Sequence, residues 1–360
     1  MDFVLVTHTR WEEAPRIRHQ VARLLRDAGH RVLFIERADY PWAGAFPAPV
    51  EVEPGITVIR TTRLMHHQFR VLSVMHRIDA LHVASQLRTA VEQWASAPNF
   101  TIVNFTHDGW FLRDTFAGHR IVTLIHDDFE AQSRLPFSGH IRWCLERTCR
   151  SSDSVLAVSE PLRERLAKWC SPELFLPWAV VPYRHPVAPV ANRRILLFWG
   201  YVDNSVDLDR VEQVALHLEE RGPDWRVLLV GPTQTKGVRT PIIQRLSRHS
   251  NIEVRDPMPL DALPLAETLA ALVPYRRSAI TDSVTLNNKS MQLLARGLPL
   301  LISAMPRYLE APFVFRLDDG AGIAPVVTAC AQRFDELQEP IRNYCAANTP
   351  ESRLQMLLGA

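Results

Sequence analysis

The hydrophobic positions of this chain fall into short runs separated by amphipathic stretches. Phe3 to Val6 (FVLV) is a four-residue apolar run and reads as a buried strand. Pro15 suits the first turn of a helix on which Ile17, Val21, Leu24 and Leu25 share one face, and Gly29 stands where a C-terminal cap belongs. VLFIE (32–36) is a second strand, so the chain opens with a β-α-β unit, which implies a parallel sheet. Residues 41–55 read as loop and 63–95 as helix. FTIVNF (100–105) and RIVTLIH (120–126) read as strands, ending in the polar loops Thr106-His107-Asp108-Gly109 and His126-Asp127-Asp128. A helix over 139–150, a strand at SVLAVS (154–159) and a helix over 160–169 follow.

Prolines at 177, 182, 186 and 189 break this rhythm and mark a boundary over 177–193. A second α/β series begins after it. ILLFWG (195–200) and VLLVG (227–231) are strands ending in glycine, with a helix at about 207–221 between them. A short strand at 251–254, LAALVPY (269–275), a helix at about 288–296 closed by Gly297, LPLLIS (298–303) and helices from about 321 complete the series. The expected architecture is α/β with two Rossmann-like domains, 1–180 and 190–335. C-terminal helices over 336–360 are expected to pack back toward the first domain.

Composition narrows the function. The 360 residues are 47% hydrophobic and 22% charged, an ordinary globular balance. Lys+Arg 41 against Asp+Glu 39 is too even for nucleic-acid binding by bulk charge. Three of those basic residues are lysine (Lys168, Lys236, Lys289), a bias that a GC-rich genome explains. Five scattered cysteines without a CxxC pair indicate neither a zinc site nor a disulfide framework, and suggest a reduced, cytoplasmic setting. No apolar stretch approaches the roughly 18 residues of a spanning helix, so any membrane contact is expected to be peripheral. The loop after the first strand, Thr7 to Glu13, holds no glycine, which disfavours a dinucleotide-binding enzyme.

Several segments, in order, resemble the GT-B glycosyltransferases, family 1/4-like, of the bacterial surface-polysaccharide branch. RIRHQVARLLRDAGHRVLFIE (16–36) is similar to that branch's Arg-Pro-His helix and second strand, and SSDSVLAVSEPLRERL (151–166) to a later strand. Residues 195–232 resemble the strand-helix-strand that opens the second domain, 251–275 its next unit, and NNKSMQLLARGLPLLISAMP (287–306) its Pro-x-Lys helix and following strand. The resemblance implies two domains facing a central cleft. It also implies transfer of a sugar from a nucleotide diphosphate-sugar to a glycan or lipid-linked glycan acceptor, with no cofactor and no metal. Two departures stand out. The partner of the family's Glu-x7-Glu motif falls on Val284, and Gln292 replaces its ribose-holding glutamate.

The residues offer their own reasons for a site. Ligands of Rossmann-like domains bind beyond the C-terminal ends of the strands. Asn287 is a good N-cap, and Lys289 in the first turn opposes the helix dipole unless an anion is present. Donor-binding candidates are therefore Gly200, Lys236, Arg276, Thr285, Asn287 and Lys289, to which the resemblance adds Gln292; Arg277 and Arg239 are further cations nearby. Catalytic candidates are His126, Asp127 and Asp108, since an inverting transfer needs a base. His8, Arg10 and Arg16 are acceptor-binding candidates. For each, loop capping or plain surface charge is the competing explanation.

Between Glu53 and Asp79 there is no acid, while Arg60, Arg63, Arg70 and Arg77 interleave with Leu64, Met65, Phe69 and Val74. The stretch 60–77 suits an anionic membrane or a lipid-diphosphate acceptor, or else a packed helix with its arginines in water. Two other functions share the fold: a non-catalytic scaffold or sugar-nucleotide sensor, which the lost glutamates favour, and a nucleotide-sugar epimerase, which needs no acceptor surface.

Overall fold

A computed structural model describes residues 1–13, 15–40, 48–65, 73–96, 98–133, 138–233, 239–283, 286–305, 310–318, 320 and 322–359. The chain forms two compact units, Met1–Leu176 with Glu351–Ala360, and Pro177–Pro350.

The first unit runs β1 (Asp2–Val6), α1 (Ile17–Asp27), β2 (Arg31–Asp39), β3 (Val50–Glu53), β4 (Ile56–Thr62), α2 (Ser73–Trp94), β5 (Phe100–Asn104), α3 (Leu112–Thr115), β6 (Arg120–Ile125), α4 (Ser138–Arg150), β7 (Ser154–Ala157), α5 (Glu160–Leu166) and β8 (Glu173–Leu174). Its eight strands lie in the order β3-β4-β2-β1-β5-β6-β7-β8, parallel except for β3 against β4. Both faces are covered, so β1 and β5 are buried at every position, as their continuous apolar runs dictate. Helix α1 ends as its sequence requires: Gly29 takes φ 82°, and the Gly29 and His30 amides bond back to Arg26 and Leu25. Helix α2 buries Ala80, Val83, Ala84, Leu87 and Val91 against Val4, Leu33 and Ile102 of the sheet.

Two features differ from the sequence reading. Residues 50–53 form strand β3 inside the expected loop, and residues 56–62, left unassigned, form β4 beside β2. The β4 segment, ITVIRTT, is β-branched at every position but Arg60, the composition of a pleated surface. Residues 63–65 are not helical, and helix α2 is described over Ser73–Trp94; 66–72 lie outside the described residues.

The second unit runs β9 (Ile195–Trp199), α6 (Leu208–Arg221), β10 (Arg226–Val230), α7 (Arg239–Leu246), β11 (Ile252–Arg255), β12 (Thr268–Pro274), α8 (Asn288–Leu294), β13 (Leu300–Ser303), β14 (Val314–Arg316), α9 (Ile323–Gln332) and α10 (Gln338–Ala347). Its six strands are all parallel, in the order β11-β10-β9-β12-β13-β14. Helix α7 and strand β14 were not foreseen. Asp207 caps α6 by accepting from the Arg210 amide.

Ile341 and Cys345 place α10 in the second unit's core. The last helix, α11 (Pro350–Leu358), is held in the first unit: Arg353 Nε donates to the Leu176 carbonyl at 2.7 Å and Arg120 Nη1 to that of Leu357 at 2.5 Å. No helix among the described residues is long and apolar enough to cross a membrane.

Each sheet changes winding direction at one place. In the first unit the chain builds outward from β1 through β2 to β4, then restarts at β5 on the other side of β1. In the second, β9, β10 and β11 go one way and β12, β13 and β14 the other. At such a switch point the loops leaving two neighbouring strands diverge and open a crevice. The two crevices are rimmed by the residues after β1 and β5, and by those after β9 and β12.

Candidate functional site

The first crevice holds a chain of paired polar and charged side chains. His8 follows β1, and its Nε2 lies 3.3 Å from Asp108 Oδ1, in the turn after β5. The other Asp108 oxygen is 3.1 Å from Arg63 Nη2, just beyond β4. Arg63 Nη1 bonds to Asp79 Oδ2 of α2 at 2.9 Å. Asp79 Oδ1 accepts from the Leu64 amide at 2.8 Å, closing the turn that carries Arg63. Asp108 and Asp79 are 1% and 0% exposed, so these charges survive burial only as a set. Burial alone would raise the Asp108 carboxyl, but the Arg63 charge and the His8 contact outweigh it and hold the group well below the usual carboxylate range. Burial likewise opposes the Arg63 charge, and Asp108 with Asp79 more than restores it. The His8 side chain is 31% exposed, the one member of the chain that faces out.

His126, after β6, sits in a second cluster. It is buried, and Arg18 of α1 reaches its Nε2. Burial and the Arg18 charge together push its imidazole well below the ordinary range, so it stands neutral. The neighbouring Asp127 carboxylate lies 3.0 Å from His126 Nε2 and 3.8 Å from Arg18. Burial lowers the Arg18 guanidinium to about 10 against the pull of Asp127. Asp127 is half-exposed, and the protein around it displaces enough water to push its carboxyl up, despite Arg18. Asp128 is buried against Arg165 and accepts from the Ala131 amide, a structural role.

Arg10 and Arg16 are less available than their positions suggest. Arg10 Nη2 binds Asp39 at 2.6 Å, and Arg16 Nη2 lies 3.3 Å from Glu13. His19 ties the two together: its Nδ1 accepts from the Arg16 amide at 3.1 Å, and its Nε2 lies 3.2 Å from the Arg10 carbonyl. Burial pushes this ring down, keeping it neutral for both contacts.

In the second unit the residue beyond β10 has to be glycine. A side chain on Gly231 (φ 152°) would come within 1.7 Å of the Gly200 carbonyl oxygen, and one on Gly200 within 2.8 Å of the Phe198 ring. The two loops therefore pack backbone on backbone beside the crevice. Asn287 caps α8 through the Ser290 amide at 2.8 Å. Lys289 lies over Trp199 and Tyr201, 5.5 and 5.4 Å from the ring centroids, so the cation is held at the β9 end of the crevice. Arg276 is exposed after β12, with its amide bonded to the Ser205 carbonyl. Lys236 and Thr285 lie outside the described residues, as does Val284; the side chain of Arg239 does too.

Gln292 does not face the crevice. It is 6% exposed, its Nε2 donates to the Trp178 carbonyl at 2.9 Å, and its Oε1 accepts from the Val180 amide at 3.0 Å. Both ends of the amide are committed to the backbone of the boundary segment. A glutamate here would offer no hydrogen to Trp178, which is the physical reason for glutamine.

Sequence reasoning does not single out Arg18 or Asp79, and it reads Arg63 only as part of the basic stretch 60–77, not as a partner of Asp108. A cavity of about 730 Å³ opens at the opposite, N-terminal edge of the first sheet, lined by Arg120, Cys149, Asp153, Ser154, Cys170 and Glu173. It lies at the opposite end of the strands from the first unit's own crevice.

Comparison with known proteins adds the following. A family model described as Glycosyltransferase Family 4 matches residues 16–175. No protein of curated function matches the sequence. Among solved structures, sucrose-phosphate synthase from Thermosynechococcus elongatus is similar at TM-score 0.69 and 16% identity, covering 99% of this chain and 97% of its own. An α,α-trehalose-phosphate synthase (UDP-forming) from Burkholderia vietnamiensis gives 0.69 and 13%, covering 99% and 96%. HepE of Anabaena, in complex with UDP, gives 0.68 and 12%, covering 100% and 99%. These likenesses show the fold: two Rossmann-like units of the GT-B architecture.

Two outcomes check the assignments. The Asp108 carboxyl titrates lower in the folded than in the unfolded chain. It therefore contributes stability above the unfolded value of about 3.9, and that contribution is lost as pH falls through the folded value. Asp108→Asn is expected to lower stability at neutral pH by about 3 kcal/mol and to flatten the acid limb of a urea-midpoint curve. A curve parallel to wild type at every pH contradicts this. Gln292→Glu is expected to cost about 1–3 kcal/mol in the same assay, and an unchanged midpoint would show that the amide is not needed.

Proposed function

We propose that this protein is a glycosyltransferase that moves a sugar from a nucleotide diphosphate-sugar to a hydroxyl of a glycan or lipid-linked glycan, in surface-polysaccharide synthesis. The observation that carries the reading is the outward-facing His8 at a switch point, backed by a buried, ionised Asp108 that lies within the segment matched by Glycosyltransferase Family 4. The named synthases of similar fold, one described as UDP-forming, support a nucleotide-sugar donor.

In this reading the first unit's crevice takes the acceptor. With its Nε2–H toward Asp108, the His8 ring turns its other nitrogen to the acceptor hydroxyl and accepts its hydrogen bond. In a displacement from the far side of the sugar, His8 also takes the proton while the bond from the anomeric carbon to the diphosphate breaks. A front-side displacement leaves that proton to the departing phosphate and uses His8 for position. Asp108, committed to Arg63 and His8, positions rather than reacts. His126, neutral and engaged by Arg18, is a donor-sugar contact rather than a base, and Asp127 beside it binds sugar hydroxyls.

The second unit's crevice takes the donor. Lys289 and Arg276 neutralise the diphosphate as charge builds on it, and the Gly200–Gly231 contact leaves the backbone bare for close approach. No metal or cofactor is assigned to this step. Gln292 is removed from the donor set by its bonds to Trp178 and Val180.

The membrane-facing part of the reading narrows. Arg60 is bound to Glu36 and Asp39, and Arg63 to Asp79 and Asp108, so neither serves a lipid surface. What remains among the described residues is a stripe on α2: Val74, Ile78 and Leu81, 66%, 46% and 72% exposed, with Arg77 beside them. A peripheral position on an anionic, cytoplasmic membrane face rests on that stripe.

His8→Ala is expected to lower kcat by about a hundredfold or more with nucleotide affinity unchanged. Lys289→Ala is expected to weaken nucleotide diphosphate binding by about tenfold or more. Full turnover in the first variant, or wild-type calorimetric affinity in the second, removes the corresponding role. For the membrane, Ile78→Glu with Leu81→Glu should abolish flotation with anionic liposomes. Equal recovery of wild type with anionic and neutral vesicles sinks that part.

A further inference from the structure

A second constellation lies on the helices behind the first crevice. His76 of α2 and His140 and Cys144 of α4 bring three ligand atoms together. His76 Nδ1 is 3.1 Å from His140 Nε2, and Cys144 Sγ is 3.6 Å from His76 Nδ1 and 3.5 Å from His140 Nε2. His140 and Cys144 are four residues apart on one helix, so they share a face by the helical repeat. His76 arrives from a helix 64 residues earlier.

The three separations have a common explanation. Metal–nitrogen bonds of about 2.0–2.1 Å and a metal–sulfur bond of about 2.3 Å, at tetrahedral angles, place two ligand nitrogens about 3.3 Å apart and nitrogen about 3.6 Å from sulfur. A hydrogen-bonded pair needs one short edge; here all three edges of the triangle match a coordination face at once. Cys144 is not part of a disulfide. His76 and Cys144 are buried while His140 is partly exposed, which leaves one side for a fourth ligand such as water. Trp110 and Trp143 wall the cluster, 5.8 Å from the His76 and His140 rings.

We propose that His76, His140 and Cys144 bind one divalent transition-metal ion, of the borderline-soft kind that two imidazoles and a thiolate select, with zinc the natural occupant. The other triad of ligand-type groups, His8, His107 and Asp108, is less suited, because the Arg63 guanidinium already occupies the Asp108 carboxylate. The ion's place in the fold gives it a task. One turn beyond His76, α2 carries Asp79, which holds Arg63. One turn beyond Cys144, α4 carries Thr148, which donates to the His107 carbonyl at 2.9 Å. A metal joining α2 to α4 therefore clamps, from both sides, the turn that presents Asp108 to His8. The binding claim stands whether or not the protein transfers sugar.

The test is cobalt titration of the chelator-treated full chain. One equivalent of Co²⁺ is expected to give a thiolate-to-cobalt charge-transfer band with the visible bands of four-coordinate cobalt, and Zn²⁺ should displace it and raise Tm. Cys144→Ser should abolish the charge-transfer band, and Cys170→Ser should keep it. His140→Ala changes a partly exposed residue and covers the case in which the buried serine variant misfolds. With native circular dichroism it should lose cobalt affinity by about tenfold or more. A band that is missing in wild type, or that persists undiminished in Cys144→Ser or in folded His140→Ala, overturns the proposal.

Discussion

The first unit depends on one electrostatic constraint: two buried carboxylates, Asp79 and Asp108, share a single buried guanidinium, that of Arg63. None of the three is tolerable alone, since removing one partner of a buried ion pair costs several kcal/mol. The chain must therefore bring the ends of β4 and β5 and the first turns of α2 to one point. Once there, the second Asp108 oxygen is aimed at His8, after β1. The polar edge of the sheet is fixed by the same contacts that fix its histidine. The strands supply the platform, and the charges choose which loop residue is presented.

The second unit solves the corresponding problem with backbone instead of charge. Gly231 lets its loop touch the Gly200 carbonyl at a place where any side chain would collide. The boundary segment is held by the Gln292 amide, which needs both a donor and an acceptor end. Lys289 is kept at the crevice by two aromatic rings. A position that looks functional by sequence register can thus be consumed by the scaffold, while its neighbour three residues earlier on the same short helix remains at the surface of the crevice.

Apolar runs and helix caps made most of the fold legible in the sequence, because burial on both faces of a parallel sheet leaves continuous hydrophobic strands. Strand β4 escaped because its face is half-buried and rich in threonine, so β-branching was its signal rather than hydrophobicity. The site was legible only as residue types at strand ends. His8, Asp108 and His126 could be picked that way, but their division of labour could not. Arg63, Asp79 and Arg18 decide that division, and they lie up to about a hundred residues from the groups they hold. The same holds for the His76, His140 and Cys144 cluster: the spacing of the last two was visible, but the absence of a CxxC pair argued against a metal because the third member comes from another helix.

The measurement that bears most directly on the central claim is a panel of nucleotide diphosphate-sugars incubated with the protein and read for nucleoside diphosphate release. The account predicts that at least one donor binds and is slowly hydrolysed, water taking the acceptor's place beside His8. A panel in which none binds and none is hydrolysed contradicts it, and leaves a GT-B scaffold without transferase chemistry.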